Sequence, residues 1–316
     1  MDPSSARARP APPAVVTPGN YDGVHLGHRA LAATAIARAR RDGWRAIGLT
    51  FDPHPSTIVA PTRPLDLLTL PERRVELLRG LGLDDVVIQP FDDRFAALEP
   101  EAFARQVLVE SVGARAIVVG HDFRFGRARK GDIALLRELG ERHGFEVIVV
   151  DAVQANGAPV SSTRIRDSLL RGDVEDAAML LARVHDVSGE VVRGDGRGRT
   201  LGFATANLRC DPVLLPASGV YAVVARRVDR AEPGRLLGVA NLGSRPTFGA
   251  GASFEVHVLD FDGDLYGARL RVGFVARLRD EKKFDGIDAL RAQIAADVAR
   301  GRGALARAPE ERLRWI

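Results

Sequence analysis

The first half of the chain alternates short apolar runs with longer polar–apolar stretches. Residues 14–17, 45–50, 85–89, 116–119 and 145–150 are rich in Val, Ile and Ala, and their length and branching predict buried strands. Segments 28–42, 71–80, 100–112 and 132–144 read as helices, with Pro71 and Pro100 opening two of them and Gly43 and Gly144 punctuating two ends. Strand–helix alternation of this length predicts a doubly wound parallel α/β sheet. Two further helices, at 162–171 and 174–181, close this half.

From about residue 187 the period changes. Segments 188–193, 220–229, 235–241, 254–259 and 269–278 read as strands between Gly- and Asp-rich turns, followed by one helix at 287–300. Many strands with short turns and a terminal helix predict a small antiparallel β-barrel. The expected organisation is a Pro-rich disordered leader at 1–13, an α/β domain at 14–182 and a barrel domain at 187–305. A length of 316 residues suits two cores better than one.

Composition narrows the class. One cysteine, Cys210, excludes an internal disulfide framework, a cysteine-rich zinc ribbon and an iron–sulfur site. No apolar run approaches the roughly 20 residues of a membrane span, and the leader has arginines without the apolar centre of a secretory signal. A soluble, cytoplasmic protein is expected, with no membrane partner. The 45 Lys and Arg against 41 Asp and Glu leave a net charge of +4. That excess is small and no aromatic-interleaved basic stripe accompanies it, so nucleic acid is not the expected partner. Arginine equally suits phosphates on small molecules.

The segment G-N-Y-D-G-V-H-L-G-H, residues 19–28, follows the first expected strand. Gly19, Gly23 and Gly27 permit sharp turns and close approach to a ligand. His25 and His28 stand three apart at a helix entry, so both can face the crevice at the carboxyl ends of the strands. Imidazole N–H groups there can donate to a phosphoryl group as charge builds on it. The pair could equally cap the helix or bind a metal, with His54, His121 and Asp52 as candidate further ligands. Three other motifs fall at strand ends or helix starts: T-F-D-P-H-P at 50–55, V-V-G-H-D-F-R-F-G at 118–126 and S-S-T-R-I-R at 161–166. Ser161, Ser162 and Thr163 suit a helix cap, while Arg164 and Arg166 beside a helix N-terminus suit phosphate.

The second half carries R-G-D-G-R-G-R-T-L-G-F-A-T-A-N-L at 193–208. It is neither a Walker A loop, lacking GK[ST], nor a Rossmann fingerprint, lacking the third glycine and the following helix. Thr205 and Asn207, two apart, point the same way if extended, and their oxygens could ligate Mg²⁺ while the glycine-rich amides wrap phosphates. In F-E-V-H-V, residues 254–258, Phe254, Val256 and Val258 alternate with Glu255 and His257. Glu255 is either a solvent-facing carboxylate or a general base for a hydroxyl nucleophile. An EF-hand reading of D-F-D-G-D fails, since Leu265 and Arg271 occupy the loop positions that need Gly and Glu.

These motifs, in this order, resemble the prokaryotic bifunctional riboflavin kinase/FAD synthetase family, over nearly all of residues 14–300. The first half is similar to its FMN adenylyltransferase module, of the HxGH nucleotidyltransferase type, and the second to its riboflavin kinase module. The resemblance implies phosphorylation of riboflavin by ATP to give FMN, then adenylylation of FMN by a second ATP to give FAD and pyrophosphate. It implies that His25 and His28 contact ATP phosphates, with Gly19, Asn20, Gly23, Gly27, Ser162, Thr163 and Arg164 around the polyphosphate and Asp52 and Asp122 toward the substrates. In the kinase half it implies Gly194, Gly196, Gly198 and Gly202 as the phosphate loop, Thr205 and Asn207 as ligands of Mg²⁺–ATP, and Glu255 as the base. Two departures stand out: Tyr21 replaces the usual Phe, and Ala204 replaces the proline before Thr205, which should loosen that loop. A pantetheine- or nicotinamide-type adenylyltransferase would explain the histidines but not the barrel half. A non-catalytic flavin- or RNA-binding module would not need the intact His25, His28, Thr205, Asn207 and Glu255.

Overall fold

The computed structural model describes residues 11–62, 65–194, 198, 202–230, 234–243 and 253–316. Gly196, most of the 1–13 leader and residues 244–249 therefore lie outside the described residues. By internal contacts the chain divides into two units. One is built from residues up to Leu65 and from Thr69–Val160, the other from Asp66–Leu68 and Ser161–Ile316.

The first unit holds β1 (Ala14–Pro18), β2 (Arg45–Asp52), β3 (Asp85–Pro90), β4 (Ala114–Gly120) and β5 (Glu146–Val150). They form one parallel sheet in the order β3-β2-β1-β4-β5. β1 is buried along its whole length, as a central parallel strand covered on both faces must be. The strand order reverses between β1 and β4, which opens a crevice at their carboxyl ends. The helices are α1 (Leu26–Asp42), α2 (Pro55–Val59), α3 (Pro71–Gly80), α4 (Asp93–Ala96), α5 (Pro100–Ala102) and α6 (Ile133–His143). The expected helix at 100–112 is α only in its first turn and continues as a π-helix at Phe103–Ser111. Its wider turn still buries Phe103, Val107 and Leu108 against Ile117, Val119, Leu136 and Leu139. A two-residue ladder, β6 (Gln154–Ala155) with β7 (Ala158–Pro159), ends this unit.

The second unit begins with α7 (Ser162–Leu170) and α8 (Val174–Leu181), ahead of the expected boundary at 182–187. It continues with β8 (His185–Val192), β9 (Ala206–Cys210), β10 (Gly219–Arg227), β11 (Leu236–Gly243), β12 (Ser253–Val258) and β13 (Arg269–Arg279). These close into an antiparallel barrel in the order β10-β11-β12-β9-β8-β13. Phe274 anchors the interior, its ring stacked on Phe254 at 5.5 Å and edge-on to Tyr221 at 5.3 Å. Helix α9 (Ile287–Ala306) lies against β11, where Gly301 leaves no room for a Cβ beside Val239, and α10 (Glu310–Leu313) follows. Asp297 of α9, 2% exposed, receives a bidentate contact from Arg279 of β13 and a hydrogen bond from Gln293. Among the described residues no helix is long and apolar enough to cross a membrane.

Candidate functional site

In the first unit the chain leaves β1 and turns through Gly19–Val24 into α1. Tyr21, Gly23 and Val24 take positive φ, a conformation costly for the two non-glycine residues. Tyr21 is held there by full burial and by its hydroxyl, which donates to the Thr17 carbonyl at 2.9 Å. A Cβ on Gly19 would stand 3.2 Å from the Tyr21 ring and one on Gly27 3.1 Å from the His25 ring, tighter than ordinary packing.

His25 and His28 form a reciprocal cap. The His25 Nδ1 accepts from the His28 amide and the His28 Nδ1 accepts from the His25 amide, each at 3.4 Å. The rings stack with centroids 3.6 Å apart. Capping and phosphate donation are thus compatible: a ring whose Nδ1 accepts carries its neutral-state proton on Nε2. Desolvation pushes the His28 imidazole well below the ordinary histidine range, and His25 and the Arg74 guanidinium push it further the same way. His28 is therefore a neutral N–H donor at neutral pH. Among the described residues no three His, Cys, Asp or Glu side chains gather around one point, and His54 instead caps α2 through Ser56.

Across the crevice, Asp122 follows β4, with its carboxylate over Gly120. Asp52 ends β2. Sequence reasoning missed a run of aromatic rings between these strand ends. Phe51, Phe91, Phe95, Phe103, Phe125 and Phe123 succeed one another at centroid separations of 5.4–6.0 Å, and Phe51, Phe91, Phe95 and Phe123 are only half-buried. The signal was there, in F-D-P, P-F-D-D-R-F and D-F-R-F, but only the parallel sheet brings these segments together.

In the second unit, Ser161 caps α7 by accepting from the Arg164 amide at 3.2 Å. Ser162 and Thr163 fill the first turn, whose amides are the natural anion donors of a helix. The Arg164 guanidinium lies 3.7 Å from Asp176 of α8, and Arg166 donates to the Asp66 carbonyl.

The barrel gathers the kinase-type residues more tightly. Asn207 of β9 pairs with Glu255 of β12, which pairs with Asn241 of β11. Residues directly opposite share a sheet face, so an amide, a carboxylate and a second amide stand in one row. Asn241 was not singled out from the sequence, because only register reveals it. Gly194 lies against the Asn207 amide and Gly198 against Thr205; a Cβ on Gly194 would come within 2.3 Å of the Asn207 nitrogen. The His257 Nδ1 donates to the Ala204 carbonyl at 2.8 Å, pinning the residue before Thr205. Thr205 also lines a cavity of about 630 Å³ whose wall includes Gly202, Val191, Val256, Asp262, Asp264 and Tyr266. Arg193 rests over the Tyr266 ring at 5.8 Å.

Residues 8–164 match the family described as FAD synthetase, and residues 181–305 match riboflavin kinase. Over 284 residues the chain is 38% identical to the bifunctional riboflavin kinase/FMN adenylyltransferase of Escherichia coli (strain K12), covering 90% of each chain. It is 39% identical over 290 residues to that of Pseudomonas fluorescens, covering 91% of this chain and 92% of the other. A crystal structure described as a macrolide-efflux protein from Streptococcus pneumoniae superposes with a TM-score of 0.84 at 33% identity, over 93% of this chain and 95% of that one. With two units, two matching families and full-length relatives in agreement, the chain belongs to the bifunctional riboflavin kinase/FMN adenylyltransferase family.

Proposed function

We propose a division of labour at the level of residues. The enzyme is a riboflavin kinase and an FMN adenylyltransferase; the residues that perform each step are inferred from their geometry. In the barrel, Glu255 accepts the proton of the riboflavin 5′-hydroxyl as its oxygen attacks the γ-phosphorus of ATP. The new O–P bond forms as the bond to ADP breaks. Asn241 and Asn207 flank Glu255 in register. The glycine-rich segment bearing Gly194, Gly198 and Gly202 offers backbone amides to the phosphates.

Thr205 and Asn207 would hold the magnesium of Mg²⁺–ATP. Two neutral oxygens suit an ion that keeps most of its shell as water and phosphate, and Gly194 and Gly198 leave those two side chains space no Cβ would allow. When bound, the ion supplies positive charge to the phosphate oxygens.

In the α/β unit an FMN phosphate oxygen attacks the α-phosphorus of ATP and pyrophosphate leaves. His25 and His28 donate from Nε2 to the phosphate oxygens, Asn20 and the glycines of the loop shape the approach, and Asp52 and Asp122 face the substrates. Ser162, Thr163 and Arg164 at the start of α7, in the second unit, offer a helix end and a guanidinium suited to a phosphate. The half-buried Phe51, Phe91, Phe95 and Phe123 are assigned to the isoalloxazine, which needs aromatic faces.

The observation that carries this reading is the reciprocal histidine cap, which leaves His28 a neutral donor beside His25 at a strand-order reversal. The test is a crossed pair of variants in the full-length enzyme, with flavins separated by chromatography. His28→Ala should stop FAD formation, by roughly 10²–10³ in rate for a lost donor, while FMN accumulates from riboflavin. Glu255→Gln should lower riboflavin phosphorylation by roughly 10²–10⁴ and leave adenylylation of supplied FMN intact. Loss of both activities in either variant would contradict the assignment.

A further inference from the structure

Arg74 on α3 has no place in the reaction as described, and it is completely buried. Its Nη1 donates to the Asn20 carbonyl at 2.8 Å, the Thr50 hydroxyl at 3.1 Å and the Phe51 carbonyl at 3.2 Å. Those acceptors belong to the loop after β1 and to the end of β2. Among the described residues Nε and Nη2 have no hydrogen-bond partner. A guanidinium stays charged in proteins, so the molecule buries a full positive charge with only one of its three nitrogens satisfied. That is a poor way to add stability, since an apolar side chain of similar volume does as well or better in such places. The loop it anchors leads directly into His25 and His28. Its field also reaches His28, acting with His25 to favour the neutral ring.

We propose that Arg74 is a positioning residue for FMN adenylylation: it fixes Asn20 against the end of β2 and lays a permanent positive charge close to the histidine pair, where the phosphates of ATP gather. The inference rests on the assignment of His25 and His28 to those phosphates. The charged groups concerned are few. Asp22, Asp52 and Glu72 act on Arg74 with attraction that offsets part of its desolvation. His28 feels His25 and Arg74, and the Tyr21 ring packs against it at 5.0 Å.

The test compares Arg74→Met and Arg74→Lys in the full-length enzyme. Three quantities are read: FAD formation from FMN and ATP, riboflavin phosphorylation, and the NMR titration of the His28 ring, assigned by its absence in His28→Asn. Arg74→Met is expected to lower FAD formation about tenfold or more, less than the roughly 10²–10³ of a lost direct donor, because Arg74 acts through the loop and the histidine pair. Phosphorylation should stay within about twofold, and the His28 titration should move up toward the ordinary histidine range. Arg74→Lys keeps the charge and should hold the His28 titration near wild type, with FAD formation above that of the Met variant. If Arg74→Met lowers only the melting temperature, leaving the titration and FAD formation unchanged, the inference is overturned. Should the Met variant fail to fold, Arg74→Lys decides alone: a His28 titration moved up despite the retained charge overturns it. An active His28→Ala enzyme would instead overturn the histidine assignment, and an active Arg74→Met beside an inactive His28→Ala would overturn only the role of Arg74.

Discussion

Adding one methyl group to Gly194 tests whether the glycine-rich segment exists to free Asn207. The Cβ of Gly194→Ala would stand 2.3 Å from the Asn207 nitrogen, 2.4 Å from its Cγ and 2.6 Å from its Oδ1. Ordinary carbon contacts need about 3.5–4.0 Å, so the amide must retreat by more than about 1 Å. The amide is the free end of a short side chain and the clash involves no backbone, so it can swing aside with little cost in folding. The expected stability change is within about 0.5 kcal/mol, as for other surface substitutions. Function should respond very differently. A ligand moved by about 1 Å can cost on the order of 10² in rate, and here the moved group also neighbours Glu255. Steady-state phosphorylation of riboflavin, with Mg²⁺–ATP varied, should show a raised KM for the nucleotide and a kcat lowered by roughly 10–10². FAD formation from supplied FMN should be unaffected.

The same methyl group placed in an Asn207→Ala background should add almost nothing, because the partner it displaces is already gone. That double-variant comparison isolates the contact. Gly202→Ala supplies a contrast: its φ is +87°, but nothing lies within 4 Å of the new Cβ, so it strains the backbone without touching Asn207. If Gly194→Ala phosphorylates riboflavin at the wild-type rate, Asn207 does not act from the position described and the metal assignment fails with it.

Two stability predictions address each unit in turn. Asp297→Ala removes the carboxylate held by the part-exposed Arg279 and should destabilise the barrel unit by roughly 1.5–3 kcal/mol, lowering its thermal midpoint on the order of 5–10 °C in calorimetry while the α/β transition stays in place. Tyr21→Phe removes the hydroxyl that donates to Thr17 and should cost about 1–2 kcal/mol in denaturant titration, with FAD formation within about threefold of wild type because the ring still packs on Gly19 and His28.

Much of the fold was legible because parallel strands are buried on both faces and appear as unbroken apolar runs, as in Val15, Val16, Ile117, Val118 and Val119. What escaped has physical reasons. β9 reads A-N-L-R-C, a short strand with Arg209 turned outward, directly after a glycine-rich segment, so no period announces it. The π-helical turn at 103–111 keeps the same apolar residues and differs only in pitch. Arg74 sits in P-E-R-R-V-E-L-L-R, where charges on a helix ordinarily mean a solvated face; only packing reveals that this one is enclosed. The placing of His25 and His28 at a helix entry was legible from motif and spacing, and Thr205, Asn207 and Glu255 were singled out there as candidates. Asn241 and the row of phenylalanines were not, since strand register and strand order, respectively, bring them into place.

The barrel cavity raises a last question of charge. Among the described residues its lining holds two carboxylates, Asp262 and Asp264, and no Lys or Arg, although Arg193 lies close by over Tyr266. A metal-free ATP carries its full negative charge into that lining, whereas Mg²⁺–ATP arrives with half of it neutralised. Two unit charges 4 Å apart in water interact by about 1 kcal/mol, so two exposed carboxylates can disfavour the free nucleotide severalfold without excluding the complexed one. Asp264 also accepts from the Tyr266 amide at 2.9 Å, a bond that asparagine can keep. The double substitution Asp262→Asn, Asp264→Asn should therefore tighten binding of metal-free ATP by about three- to tenfold at low salt, measured by calorimetry in the presence of chelator. Its affinity for Mg²⁺–ATP should change by less than about twofold. Raising the ionic strength should erase the difference, since screened surface charges lose their reach. Equal affinities of variant and wild type for metal-free ATP at low salt would mean that the nucleotide does not enter past these carboxylates, and that the cavity beside Thr205 is not where its phosphates lie.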